Sequence, residues 1–271
     1  MNIVIGKNSN LSNAISKIVS DIVLVSSREV INNIDILENF KNQNINIIFN
    51  NFYPSHLLSN LENEVDYLQR TTGVTSLVLN YFDKNKVEKV IYSSSASVYG
   101  FKMNNCIESD LTDPLSFYGQ LKLENEIFVR DFCTKASIDY SIARNFNFFG
   151  GDDKFSIIHK LIQSKRNNSK IILNNNGLAI RDYIHIDDAA LIYSKLLKVQ
   201  NLPLINIGTG IGNSVRQLIN FLDSNGIVIE HKNVKQTEIQ HSVADTSLLI
   251  KTIGEYKFKN VLSFLLKEIS K

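Results

Sequence analysis

The chain has 271 residues, 44% of them hydrophobic and 21% charged, with a formal net charge of +2. That length allows one large domain or two joined lobes that fold without staples, and the weak charge, with no long basic run, excludes a surface built to track nucleic acid. The two cysteines, Cys106 and Cys133, lie far apart without histidine company, which excludes a disulfide framework and a zinc site, so reduced thiols and no metal are expected.

The chain enters an apolar strand at Ile3 to Ile5 with no leader-like segment ahead of it, and no apolar run of about 20 residues follows; a cytoplasmic protein without a membrane span is expected. Leu11, Ala14, Ile15, Ile18 and Val19 then recur at helical spacing. Ile22 to Val25 and Ile45 to Phe49 read as strands, Glu62 to Phe82 as a long helix and Val87 to Tyr92 as a strand. Tyr118 to Cys133 reads as a helix with Leu121, Ile127, Phe128 and Phe132 inward, and Tyr140 to Ala143 as the next strand. Apolar strands alternating with helices predict an α/β fold, a doubly wound parallel sheet of Rossmann type. The second half is less regular: Phe155 to Ser164 and Asp187 to Val199 helical, Ile171 to Leu173 extended, Leu204 to Ile207 a strand, Val215 to Leu222 and Val261 to Ile269 helical. Asparagine tracts mark turns. Residues 1–150 are expected to form a first, Rossmann-type domain and 151–271 mainly a smaller lobe, with about 183–210 returning to the first.

The densest chemical signal is Tyr118-Gly-Gln-Leu-Lys122 behind the run Ile91-Tyr-Ser-Ser-Ser-Ala-Ser-Val-Tyr-Gly100. Four residues apart on a helix, Tyr118 and Lys122 share a face. The lysine's charge is expected to lower the tyrosine pKa, and a strand-end serine beside them completes a site that oxidises a carbinol or reduces a carbonyl. The alternative is a chance pattern in a lysine-rich chain. A dinucleotide would need a tight turn after the first strand; the candidate is Gly6-Lys-Asn-Ser9-Asn10-Leu11-Ser12, in which serines stand at two of the three glycine places. A plain helix cap is the other reading of that loop. The second strand ends Val25-Ser-Ser27-Arg28 with no acidic residue for the adenosine ribose; a guanidinium there suits a 2′-phosphate, so NADP(H) is preferred with NAD(H) possible, unless Arg28 is only a solvated cation.

Together with Arg144-Asn-Phe-Asn-Phe-Phe-Gly150, Arg181-Asp-Tyr-Ile-His-Ile-Asp-Asp188, Asn206-Ile-Gly-Thr-Gly210 and Ala244-Asp245, these motifs resemble the extended short-chain dehydrogenase/reductases, the NAD-dependent epimerase/dehydratase family acting on nucleotide sugars. The resemblance covers nearly the whole chain. It implies Tyr118 as general acid/base, Lys122 on the nicotinamide ribose, and Ser95 on the reacting oxygen, with Ser94 or Ser97 as substitutes. Gly6, Ser9, Asn10, Leu11, Ser27 and Arg28 would bind the cofactor, with Tyr118 and Lys122; Ser97, Asn147 and Arg181 would meet the nucleotide sugar, Arg181 at its diphosphate. A surface ion pair for Arg181 and a turn role for Asn147 are the structural alternatives. His185 reads as structural, and Asp187 or Asp188 as a helix N-cap. The chain departs from the pattern in its serine-substituted loop, in Phe49-Asn-Asn-Phe52 beside the cofactor place, and in its short length. The family also implies a homodimer through the helices near 62–82 and 118–133.

Dehydratases of this kind carry an Asp-Glu pair where this chain has Ala96-Ser97, so elimination is not expected. Arg28 and the missing glycines favour a reductase that releases NADPH: reduction of the 4-keto group of a nucleotide-activated 4-keto-6-deoxyhexose, toward surface polysaccharide. A 4-epimerase with retained NAD is the alternative, and a non-catalytic dinucleotide sensor or scaffold the rival outside enzymes.

Overall fold

The protein is described by a computed structural model covering residues 1–50 and 64–271. It divides into two compact units: residues 1–100, 111–144 and 190–205 form the first, and 101–110, 145–189 and 206–271 the second. The return to the first unit is thus 190–205, narrower than the expected 183–210, and 101–110 belongs with the second unit rather than with 1–150.

The first unit runs β1 (Asn2–Ile5), α1 (Asn10–Ser16), β2 (Ile22–Val25), α2 (Ser27–Asn32), β3 (Ile45–Phe49), α3 (Glu64–Leu68), α4 (Val74–Tyr81), β4 (Val87–Ser95), α5 (Phe117–Ala136) and β5 (Asp139–Asn145). Then follow β6 (Asn147–Phe149), α6 (Ile157–Arg166), β7 (Ile171–Asn174), β8 (Ile180–His185), α7 (Ile186–Leu196), β9 (Leu204–Ile207), β10 (Gly212–Ser214), α8 (Val215–Ser224), β11 (His231–Val234), β12 (His241–Ser242), α9 (Ser247–Ile253) and α10 (Val261–Ile269).

The main sheet has the order β2-β1-β3-β4-β5-β9, and β1 pairs parallel with both β2 and β3, as β3 does with β4. Its strands are near-continuous runs of Ile and Val because both faces are covered. Ile3, Ile5, Ile45, Ile47, Phe49, Val90 and Tyr92 meet Val74, Val78 and Leu79 of α4 and Val129 and Cys133 of α5 in one core. This is the expected Rossmann-type sheet, shortened at one edge. The doubly wound order is 3-2-1-4-5-6; here α2 and a 3₁₀ segment, Ile34–Phe40, follow β2, and β2 is the edge strand. Strand order reverses at β1 and β3, the place where such sheets take their ligands, at the C-terminal strand ends. The second unit carries the small sheet β10-β8-β12, with β6 also on β8, and the pair β11-β7, over a core of α6, α8 and α10 side chains such as Leu161, Leu218 and Leu265.

Three local expectations change, and one element goes unpredicted. Ile127 of α5 faces outward, 49% exposed, while Lys122, Asn125 and Glu126 are buried; the inner stripe of this helix carries these polar residues toward the serine-bearing end of β4 and turns apolar at Val129 and Cys133. The long helix expected at 62–82 is α3 and α4 joined by a π-helical turn, Gln69–Gly73, where Thr71 Oγ1 donates to the Tyr67 carbonyl at 2.6 Å and loosens the helical ladder; residues 62 and 63 lie outside the described residues, as do Asn51 and Phe52. α7 starts at Ile186, so neither aspartate is its cap: the Asp187 N–H donates to His185 Nδ1 at 3.1 Å. Asp188 instead accepts from Tyr256 Oη at 2.8 Å and the Lys259 N–H at 2.7 Å. α2 escapes periodicity because Val30 is its one buried residue.

Candidate active site

β4 continues through the serine run to Ser95, and the chain turns there into a 3₁₀ segment, Ala96–Tyr99, whose cap is Ser95 itself. α5 begins behind it, capped by Ser116, whose hydroxyl accepts from the Gly119 N–H at 3.1 Å. Gly119 sets the approach of the two segments. A Cβ there would stand 2.8 Å from the Ser97 carbonyl and 2.9 Å from Pro114 Cβ. A glycine inside a helix costs about 1 kcal/mol relative to alanine; here it lets the first turn of α5, with Tyr118, close on the serine strand.

The three serines have separate tasks. Ser94 is buried and donates to the Glu126 carboxylate. Ser95 Oγ accepts from the Ser97 N–H at 3.2 Å and from Ser97 Oγ at 3.0 Å, and it hydrogen-bonds the Tyr118 hydroxyl. The structure therefore brings Ser95, Ser97 and Tyr118 together and directs Ser94 away from them. Lys122 Nζ donates to the Ser93 carbonyl at 2.5 Å and lies 5.3 and 5.7 Å from the ring centres of Tyr92 and Tyr118, within cation–π range.

Burial dominates the electrostatics. It pushes Tyr118 up to about 12, against the pull of the Ser95 hydrogen bond. It brings Lys122 down to about 7, with the Glu126 carboxylate opposing. The expectation that Lys122 would lower the Tyr118 pKa is reversed: the wall of β4 is dry enough to disfavour both charged forms. Tyr118 is thus a protonated phenol at neutral pH. For Lys122, the native state holds fewer protons than the unfolded chain between pH 7 and 10.5, so stability rises with pH across that window and is lost as pH falls toward 7. Lys122→Met is expected to remove this slope, of order 2–3 kcal/mol between pH 7 and 9.5, and to be more stable than the parent near neutrality. Unfolding of both proteins at the two pH values measures it; parallel slopes contradict the assignment.

Beneath these groups lies a charged pair that motif reading left without a role. Arg144 at the end of β5 grips Glu126 through Nε at 3.0 Å and Nη2 at 2.8 Å, with both side chains buried and the guanidinium 4.6 Å from the Tyr99 ring centre. Glu126 stands one helical turn beyond Lys122, a spacing that was visible in sequence.

At the other strand ends, Gly6 follows β1 with φ +124, Ser9 caps α1, and Asn10 and Leu11 open that helix. Ser27 and Arg28 open α2; Arg28 is exposed, and no ion pair engages it among the described residues. In the second unit, Asn147 Nδ2 donates to the Asp182 carbonyl at 3.0 Å. Arg181 Nη1 donates to the Ile180 carbonyl at 2.9 Å and Nη2 lies 3.5 Å from Glu238; burial lowers its pKa. His185 packs edge-on against Phe149 and Phe264, as expected of a structural residue. Among the described residues no cluster of His, Cys, Asp or Glu could hold a metal.

A positive-φ glycine turn, a hydroxyl at a helix cap and, at the end of the second strand, a guanidinium with no ion pair among the described residues suit a dinucleotide, and the serine, tyrosine and lysine fit a carbonyl or carbinol. Fold and site together define a Rossmann-fold oxidoreductase of the short-chain type. The sequence profile of the NAD dependent epimerase/dehydratase family matches residues 9–208. The chain belongs to that family, the extended short-chain dehydrogenase/reductases, and is an enzyme, an oxidoreductase or epimerase. It is 28% identical over 211 residues to GDP-6-deoxy-D-talose 4-dehydrogenase of Aggregatibacter actinomycetemcomitans, covering 73% of this chain and 70% of that protein. To UDP-glucose 4-epimerase of Dictyostelium discoideum it is 27% identical, over 90% of this chain and 81% of the relative. Among solved structures, UDP-glucuronic acid 4-epimerase from Bacillus cereus, in complex with UDP-glucuronic acid and NAD, superposes with TM-score 0.87 at 20% identity, over 100% of this chain and 98% of that one. At that identity the likeness speaks for the fold.

Proposed function

We propose that this enzyme modifies a nucleotide sugar at C4, reducing the 4-keto group of a nucleotide-activated 4-keto-6-deoxyhexose with NADPH. The observation that carries the reading is the Tyr118 hydroxyl, hydrogen-bonded to Ser95 at the end of β4 with Lys122 one helical turn further on. Reduction consumes one proton at the carbonyl oxygen, and a neutral phenol has it to give. The nicotinamide, when bound, supplies the hydride to C4. Ser95 and Tyr118 hydrogen-bond the oxygen as negative charge grows there, and the Tyr118 proton completes the hydroxyl. Lys122, fixed by the Ser93 carbonyl, holds the nicotinamide ribose, and Ser97 keeps Ser95 oriented beside the sugar. Asn147 and the desolvated Arg181 are assigned to the nucleotide sugar, Arg181 to its diphosphate, where charge-assisted bonds are strong. The Aggregatibacter relative, a 4-dehydrogenase by name, supports chemistry at C4.

Gly6, Ser9, Asn10, Leu11, Ser27 and Arg28 are assigned to the dinucleotide, with Arg28 on the 2′-phosphate. Arg28→Ala is expected to weaken NADPH roughly tenfold to a hundredfold, the worth of a charge-assisted bond, and to leave NADH within about twofold. Fluorescence titration measures both; equal losses for the two would remove Arg28 from the phosphate. A second reading, a 4-epimerase that retains NAD, is favoured by the 4-epimerases among the relatives. Cofactor that copurifies and is not consumed would identify it. No described helix is long and apolar enough to cross a membrane. A homodimer is part of the proposal, supported by the exposed Val65, Leu68, Leu77 and Ile127 on α3, α4 and α5, and a cytoplasmic setting is proposed with it.

A further inference from the structure

The serine-substituted loop after β1 is braced by a residue from a neighbouring strand end. Asn50, the first residue beyond β3, sits where strand order reverses. Its backbone N–H donates to the Ile5 carbonyl at 2.8 Å, and its side-chain amide donates to Ser9 Oγ at 2.6 Å and Ser12 Oγ at 3.0 Å. The polarity of this cluster is determined by counting protons. A hydroxyl has one proton to give and two lone pairs to receive. Ser12, fully buried, gives its proton to the Gly6 carbonyl at 2.8 Å, so toward Asn50 it can only accept, which fixes the amide nitrogen on that side. Ser9 Oγ already accepts from the Leu11 and Ser12 N–H groups at 3.2 and 3.4 Å and from Asn50. With one lone pair shared by the two backbone N–H groups and the other taken by Asn50, its acceptor side is full; its proton is left over, and none of the described residues' hydrogen bonds takes it.

The geometry points to Asn50 as a positioning residue for the dinucleotide: by filling the acceptor side of Ser9 and Ser12 it turns the Ser9 hydroxyl into an outward donor for a pyrophosphate oxygen. This rests on the dinucleotide reading of the loop. In a three-glycine loop the backbone itself approaches the phosphates; here two Cβ atoms stand in the way, and the side-chain proton supplies the bond instead. Asn50, Ser9 and Ser12 therefore act as one device, each substitution depending on the others.

The test is a titration of the intact protein with NADH and with NADPH, in two backgrounds. In the parent, Asn50→Ala is expected to weaken both dinucleotides about tenfold, the worth of a hydrogen bond to a charged oxygen. In a Ser9→Gly, Ser12→Gly background the same change is expected to alter affinity by less than about twofold, since no hydroxyl is left to orient. An asparagine that acts independently of the two hydroxyls costs the same in both, and one that only braces the loop leaves Ser9→Ala without effect on affinity. Equal losses in the two backgrounds, or no loss in the parent, overturn the inference. If Asn50→Ala does not fold, Ser9→Ala decides: it deletes the outward proton and leaves Asn50 on Ser12, and undiminished affinity overturns the proposal. A parent protein that binds neither dinucleotide defeats the cofactor reading itself, a result distinct from intact binding that ignores Asn50.

Discussion

Replacing Tyr118 with phenylalanine is expected to lower turnover by roughly two to four orders of magnitude, the range of a positioned general acid, while dinucleotide affinity stays within about twofold. The asymmetry follows from the geometry. The phenyl ring would still fill the space against Lys122 and β4, but the hydroxyl that bonds Ser95 and carries the proton would be gone. Ser95 alone can hydrogen-bond the carbonyl oxygen, which is why some rate survives. Single-turnover measurement with saturating cofactor isolates the chemical step. Turnover close to that of the parent would remove Tyr118 from the reaction.

The second large effect is on stability. Arg144→Leu is expected to destabilise the first unit by about 3–5 kcal/mol, the cost of leaving one member of a buried ion pair alone. Glu126 would keep its burial and its Ser94 contact while losing its guanidinium bonds. Converting both members, Glu126→Leu with Arg144→Leu, is expected to recover much of the loss, because buried pairs are often matched by apolar residues of similar volume. The double variant should nevertheless bind dinucleotide less well, since Glu126 is also the anion that favours charged Lys122. Thermal unfolding of the three proteins measures the first claim; a single variant as stable as the double would mean that the pair is not what fixes α5 against β5.

The sheet was readable because buried parallel strands are apolar runs: β2, β3 and β9 stand where the hydrophobic segments place them. The candidate trio was readable because one helical turn links Tyr118 to Lys122 and a strand end carries Ser95, and the structure sets Ser95 against the Tyr118 hydroxyl. Ile127 misled because periodicity assumes that the inner face of a helix is apolar, whereas the inner face of α5 carries Lys122, Asn125 and Glu126. The pKa order of Tyr118 and Lys122 could not be had from spacing, since it depends on how dry their surroundings are. Asn50 escaped for another reason. In sequence it is one asparagine in a tract of them, 41 residues from Ser9, and only the pairing of β1 with β3 places it on the loop.

The most direct measurement is to mix the purified protein with NADPH and a nucleotide-linked 4-keto-6-deoxyhexose and follow cofactor absorbance together with the sugar product. The account predicts stoichiometric oxidation of NADPH with formation of the 4-hydroxy sugar nucleotide, lost in Tyr118→Phe. Cofactor that stays unconsumed while a nucleotide hexose inverts at C4 would contradict it and establish the epimerase instead.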